Sequence, residues 1–392
     1  MKSASEALEI ILSGVPEPKS ELAPLQEANG RCLAEEIKAD RDYPPFHRAT
    51  MDGFAVRSEN LEKGKEYTFE NEMTAGMDPN RFLGSSILKI ATGSAVPEGF
   101  DAVIKIEDCE VSDKKVLFKE LPNKPFLNIA LRGEDIKSGA TAVSSGKVLS
   151  VSEISLLATL GKKEIVTHSR PKIVILSTGN EVVSIDEVPL PHQIRDSNTY
   201  TIVSLLTSLG IRPKSVSLLP DDPETIERCV REGLDSDILV LSGGVSMGSL
   251  DLIPSILEKC GVENRFHKIK IKPGKPFWFG TKEKTAVFAL PGNPFSVQVC
   301  AKIFLEPYIL RFQGLQPKRP LKLPFFGTRK KKKDLTEYFP VLLSERGQTG
   351  LETKKFNGSG DILAGVFSDG IAVHPSDRPE LEDSDIIEFF PW

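Results

Sequence analysis

The chain has 392 residues, enough for about two to four domains of ordinary size, so length does not limit core formation. Its composition, 40% hydrophobic and 27% charged, is that of a soluble globular protein, and a net charge of -5 gives no general attraction to nucleic acid or anionic membrane. Five scattered cysteines without a C-x-x-C pair point to neither a disulfide framework nor a thiolate metal site; with no signal-peptide core and no bilayer-length apolar run, a cytoplasmic location is expected.

Ala7, Leu8, Ile11 and Leu12 fall at helical spacing and predict an N-terminal helix stopped by Gly14 and Pro16. A second short helix is expected over residues 25–33. Asp42-Tyr43-Pro44-Pro45-Phe46 interrupts any helix, and short strands follow at 53–56, 86–91 and 102–106. Helical character returns over 143–160, with Ser152 as the expected cap. These signals outline a discontinuous helical linker region, 1–44 with 140–170, around an inserted mostly-β domain, 45–139.

After Pro171 short apolar strands at 173–176, 215–218, 238–241 and 286–290 alternate with helices at 199–209, 225–232 and 252–259. The expected fold class is therefore multidomain α/β, with a central mostly parallel sheet covered by helices on both faces over 171–317. Strands at 338–343, 371–374 and 386–390 predict a C-terminal β domain over 318–392. The basic run Lys330 to Lys333 before it reads as a solvated loop.

The chemistry concentrates where strands of the central domain end. Lys272-Pro273-Gly274-Lys275-Pro276 and Pro291-Gly292-Asn293-Pro294-Phe295-Ser296 bracket the strand at 286–290. Two lysines on a proline-stiffened loop can converge on one small oxyanion, each worth roughly 4 kcal/mol at about 4 Å and an effective dielectric near 20 before desolvation. The second loop opens a helix expected over 295–305, where the Ser296 hydroxyl and free N–H groups face an anion. The alternative is a pair of surface turns with solvated lysines.

Ser177-Thr178-Gly179-Asn180-Glu181 and Ser242-Gly243-Gly244-Val245-Ser246 follow two other strands, with Asp251 just beyond. Glycines let the backbone approach a ligand and small hydroxyls bind phosphate, although a tight strand-to-helix turn explains the second loop equally well. Neither Walker nor G-x-G-x-x-G spacing is present. Asp222 is expected to cap the helix at 225 in preference to binding metal. Glu181, Asp221 and Asp251 on neighbouring loops are the candidates for a hard cation such as Mg²⁺.

These loops, together with Met51-Asp52-Gly53-Phe54-Ala55-Val56, Ala91-Thr92-Gly93, Arg132-Gly133-Glu134-Asp135 and Asp196-Ser197-Asn198, resemble the molybdopterin molybdenumtransferase family, which shares its catalytic unit with the gephyrin E domain. The resemblance runs from the N-terminal helices to near the C-terminus. It implies an elongated cytoplasmic homodimer of four regions, with 1–44 and 140–170 serving dimerisation and 171–317 binding molybdopterin. It also implies a reaction in which adenylylated molybdopterin and molybdate, with Mg²⁺, give molybdenum cofactor and AMP. A molybdopterin adenylyltransferase and molybdoenzyme acceptors are the partners it implies, with no nucleic acid and no membrane.

The same resemblance distributes roles. Lys272, Lys275, Ser246 and Ser296 would hold molybdate, and Ser359 matches a further C-terminal contact. Ser242, Gly243 and Gly244, with Pro291, Gly292, Asn293 and Pro294, would cradle pterin or phosphate. Glu181 and Asp251 would hold Mg²⁺ at the phosphoanhydride, with Asp221 beside them. Asp52, Thr92 and Arg132 would face the cleft across the dimer interface; singly, each also has a structural reading as a turn, a cap or an ion pair with Glu134 or Asp135.

Two departures stand out. Where the family usually carries arginines in the last domain, this chain reads Glu337-Tyr338-Phe339-Pro340-Val341-Leu342, leaving Arg329 or the lysine run as substitutes; before Met51, His47 and Ala49 replace the usual Asp and Ser. The missing arginines motivate a second reading, a molybdopterin-binding scaffold without insertion activity. The related adenylyltransferase resembles the central domain alone, and the extra β domains argue against it.

Overall fold

The computed structural model describes residues 1–245 and 252–392. It divides into two compact units, one of Met1–Ala23, Ala28–Ala34 and Val166–Trp392, the other of Pro24–Glu27 and Glu35–Ile165. Among the described residues no helix is long and apolar enough to cross a membrane.

The larger unit is built on a six-stranded sheet in the order Ser215–Leu219, Ile173–Thr178, Ile238–Ser242, Thr285–Leu290, Trp278–Lys282, Glu263–His267. The first four strands are parallel and the last two join antiparallel, so the sheet is mixed. Alternate side chains enter opposite cores: Ile173, Ile175, Ile238 and Val240 one, Val174, Leu176, Leu239 and Leu241 the other. Both faces are therefore apolar and each requires a cover. Asn198–Ser208 and the helical run 294–312 supply residues to the first core, Pro223–Gly233 and Ile253–Lys259 to the second. Asp222 does cap its helix, accepting the Thr225 N–H at 2.8 Å. The helix expected over 295–305 is longer, continuing through a π segment at Ala301–Leu305 into Glu306–Phe312.

The N-terminal helix Ala4–Ser13 buries Ala7 and Ile11 in the first core. Residues 25–33 form no helix beyond a 3₁₀ turn at Leu25–Glu27. The C-terminal strands close into a five-strand barrel, Thr336–Glu345 pairing with Thr349–Thr353 and Gly370–His374, and Leu321–Phe326 and Ile386–Pro391 completing the ring. Phe325, Phe339, Leu351 and Phe389 fill it.

In the smaller unit Gly53–Val56 lies between Ile87–Ile90 and Ala102–Lys105. A Cβ on Gly53 would stand 1.9 Å from the Ile104 carbonyl oxygen, so only glycine admits this approach. The helix Val151–Thr159 is capped by Ser150, not Ser152: Glu153 at the third helical position reaches back to the Ser150 N–H at 2.9 Å, a capping box.

Candidate active site

The loops after Thr178, Ser242 and Leu290 emerge at one edge of the sheet because their strands are parallel and in register. The loop before Trp278 reaches the same edge, since Trp278 pairs with Ala289. There the larger unit opens a cleft of about 720 Å³. It brings together Lys272, Lys275, Pro291, Asn293, Ser296 and Ser359 of the expected set.

Each lysine is positioned by a neighbouring constraint. The strand Ile271–Lys272 pairs in parallel with Thr336 and Glu337 of the barrel, which puts Lys272 Nζ 3.2 Å from Glu337 Oε1. Lys275 follows Gly274, whose φ is 102° and where an added Cβ would lie 2.6 Å from Cys300 Sγ. No other residue fits this turn without displacing Cys300. Asn293 Nδ2 donates to Ser359 Oγ at 3.0 Å and the Phe295 N–H to the Ser359 carbonyl at 3.0 Å, joining the loop containing Gly292 and Pro294 to the turn at 358–360.

Asn198 is a positioning residue missing from the expected set, although it lies in the Asp196-Ser197-Asn198 motif. Its Nδ2 donates to the Gly292 carbonyl at 2.7 Å and to Ser242 Oγ at 3.0 Å, clamping two loops together. A Cβ on Gly243 would lie 2.3 Å from the Thr178 carbonyl oxygen, and one on Gly244 would lie 2.8 Å from Ile253 Cγ1. This loop is thus packed against its neighbours by its glycines. Ser246 and Asp251 lie outside the described residues.

Glu181 is exposed, while Asp221 is tied to the same turn by a reciprocal pair of 3.0 Å bonds, Asn180 N–H to Asp221 Oδ2 and Asp221 N–H to Asn180 Oδ1. Among the described residues no group of three or more His, Cys, Asp or Glu side chains forms a metal site. A Mg²⁺ held by one or two carboxylates and substrate oxygens is compatible with this donor set.

The barrel wall of the cleft differs from the expectation for the lysine run. Lys330 to Lys333 line the cleft with Arg329 and are not simply a solvated loop. Lys331 donates to the Leu335 carbonyl at 3.0 Å and to the Pro375 carbonyl, and burial holds its pKa below the ordinary lysine value. Arg329 Nη2 donates to Glu337 Oε2 at 2.7 Å, and its guanidinium carbon stands 4.2 Å from the Phe339 ring centre.

Arg329 Nη1 also donates to His374 Nδ1 at 2.8 Å. Arginine has no acceptor, so His374 is neutral, with its Nε2–H donating to the Arg378 carbonyl at 2.9 Å. Burial, Arg329 and Lys331 all lower its pKa. Burial works to raise the Glu337 carboxyl, but Arg329 and Lys272 together pull it below the ordinary glutamate value.

Three expected residues lie in the smaller unit. Asp52 Oδ1 accepts the Thr92 N–H at 2.7 Å and its hydroxyl at 2.9 Å, which lowers the Asp52 pKa. Arg132 pairs with neither Glu134 nor Asp135. Its Nε donates to Asp42 Oδ2 at 2.8 Å, and its backbone N–H donates to His47 Nδ1 at 3.2 Å.

Comparison with known proteins matches two family regions in order along the chain. Residues 2–161 match the MoeA N-terminal region (domain I and II), and residues 174–311 match the probable molybdopterin binding domain. The molybdopterin molybdenumtransferase of Haemophilus influenzae is 34% identical over 402 residues, covering 100% of this chain and 99% of that protein. That of Synechocystis is 31% identical over 400 residues, covering 100% of both. Among solved structures, a molybdopterin biosynthesis MoeA protein from Pyrococcus horikosii superimposes with a TM-score of 0.82 at 29% identity, covering 99% of this chain and 98% of its own. With full-length relatives above 30% identity and both family regions in order, the chain belongs to the molybdopterin molybdenumtransferase family.

Proposed function

We propose that this chain inserts molybdenum from molybdate into adenylylated molybdopterin, giving molybdenum cofactor and releasing AMP. The observation that carries the proposal is the cleft itself, where Lys272, Lys275, Ser296, Ser359 and Arg329 surround a space suited to a tetrahedral dianion. Lys272 and Lys275 supply charge, and Ser296 and Ser359 supply hydroxyls. The loops of Ser242 to Ser246 and Pro291 to Pro294 form the bed for pterin and phosphate. Mg²⁺, held by Glu181 and Asp251, would neutralise charge developing at the phosphoanhydride. Asp221 sets the position of the Glu181 turn through Asn180.

The working form in this proposal is a cytoplasmic homodimer in which Asp52, Thr92 and Arg132 face the cleft across the dimer interface. Its finer organisation is the four-region division 1–44 with 140–170, 45–139, 171–317 and 318–392, around a mostly parallel central sheet. A molybdopterin adenylyltransferase upstream and molybdoenzyme acceptors downstream are its partners. The presence of Arg329 on the cleft wall, although Glu337 to Leu342 contain no arginine, supports insertion over the scaffold reading.

The test is reconstitution. Purified protein with adenylylated molybdopterin, Mg²⁺ and molybdate is expected to activate an apo-molybdoenzyme. Asp251→Ala is expected to lower the rate at least a hundredfold, about 2.7 kcal/mol of transition-state stabilisation, without loss of folded signal. Wild-type rates in that variant would remove Asp251 from the mechanism.

A further inference from the structure

Among the described residues, seven cationic side chains line the cleft, Lys272, Lys275, Arg329 and Lys330 to Lys333, against one acid, Glu337. That acid is not at the rim. Glu337 is 4% exposed and bridges two of the cations, with Oε1 3.2 Å from Lys272 Nζ and Oε2 2.7 Å from Arg329 Nη2. The guanidinium is fixed further by His374 and the Phe339 ring, so the carboxylate and its partners form one built wall.

We propose that Glu337 is a resident counter-anion that sets the affinity of the cleft for oxyanions, its charge opposing the ligand's while it holds Lys272 and Arg329 in place. This rests on the oxyanion reading of the cleft. An incoming dianion meets the two cations already half neutralised, and its binding is weakened by repulsion from the carboxylate. The consequence is a site tuned to bind a small anion loosely enough to give it up during turnover. A cleft of seven cations without Glu337 would hold any abundant oxyanion more tightly.

Coulomb repulsion scales with the ligand's charge, and this separates the proposal from a merely orienting role. Molybdate is a tetrahedral dianion, and perrhenate is a tetrahedral monoanion of similar size. In calorimetric titrations of the full chain, Glu337→Gln keeps the shape and one acceptor while removing the charge. Molybdate is expected to bind at least tenfold more tightly to this variant, and perrhenate only about threefold, the square root of that factor.

The double variant Glu337→Gln with Lys272→Met restores the net charge of the wall. It is expected to return both affinities to within about threefold of wild type, and it carries the test if the single variant does not fold. Weaker or unchanged molybdate binding in Glu337→Gln, equal factors for the two anions, or a double variant weaker than wild type by tenfold would overturn the proposal. Failure of the wild-type chain to bind molybdate at all would instead overturn the oxyanion reading, and this proposal with it.

Discussion

Lys275→Ala is expected to raise the molybdate concentration for half-maximal AMP release at least tenfold, a loss of about 1.4 kcal/mol or more. The side chain is exposed, and the backbone of its turn is set by Gly274 and by the Lys275 carbonyl, which accepts the Ile269 N–H at 3.0 Å. Alanine preserves all of this, so the fold and thermal midpoint stay within experimental scatter. What disappears is one ammonium on the cleft wall, which under the proposed function faces the anion and is worth several kcal/mol at low effective dielectric, reduced by water in the open cleft. Because the lost interaction serves binding, saturating molybdate is expected to restore most of the rate. An unchanged half-saturation value would mean that Lys275 does not touch the anion.

Arg329→Ala acts on stability as well as on the site. It leaves the Glu337 carboxylate with Lys272 alone, removes the cation from the Phe339 face and deprives His374 Nδ1 of its donor. Removing one partner of a buried pair leaves the other charge uncompensated, and about 3 kcal/mol is expected here, the low end because the cleft side admits water. That is a large fraction of the stability of an ordinary domain. Chemical denaturation would show it as a lowered midpoint, and molybdate binding is expected to weaken as well. Arg329→Lys retains the charge but lacks the planar fork needed to reach Glu337 and His374 together, so only partial recovery is expected. A midpoint equal to wild type in the alanine variant would contradict the clamp.

The parts of this account that were legible in the sequence share a physical cause. The core strands at 173, 238 and 286 are apolar on both faces, so they read directly as buried strands, while the edge strand at 215, with serines on one face, reads from its alternation; the glycine and proline loops after the core strands mark the site. The antiparallel extension was not legible. The turn between Trp278–Lys282 and Thr285–Leu290 is made by Glu283, at φ 50°, and Lys284, without the glycine or asparagine that usually marks a two-residue hairpin. Residues 25–33 carry helical spacing, yet Ala28 and Leu33 are buried without an α-helix, so tertiary packing overrode local propensity.

The clamp around Glu337 was hidden for a different reason. Lys272 and His374 come to it through strand pairing, Lys272 opposite Glu337 in one ladder and His374 opposite Glu337 in another, and Arg329 reaches it by its side chain from a strand paired elsewhere. Spacing along the chain contains no trace of that register. A run of four lysines reads as solvated charge, and Lys330, Lys332 and Lys333 are exposed; only the fold places the run on a cleft wall. Asn198 stands in a recognised motif, but its two hydrogen bonds to Ser242 and Gly292 need a helix start and two strand ends in one place.

The measurement that bears most directly on the central claim is AMP release from adenylylated molybdopterin by the purified chain, with Mg²⁺ present and molybdate titrated from zero. Release that rises with molybdate and saturates is the expected result. Release independent of molybdate, or tight pterin binding with no release at any molybdate concentration, would contradict it.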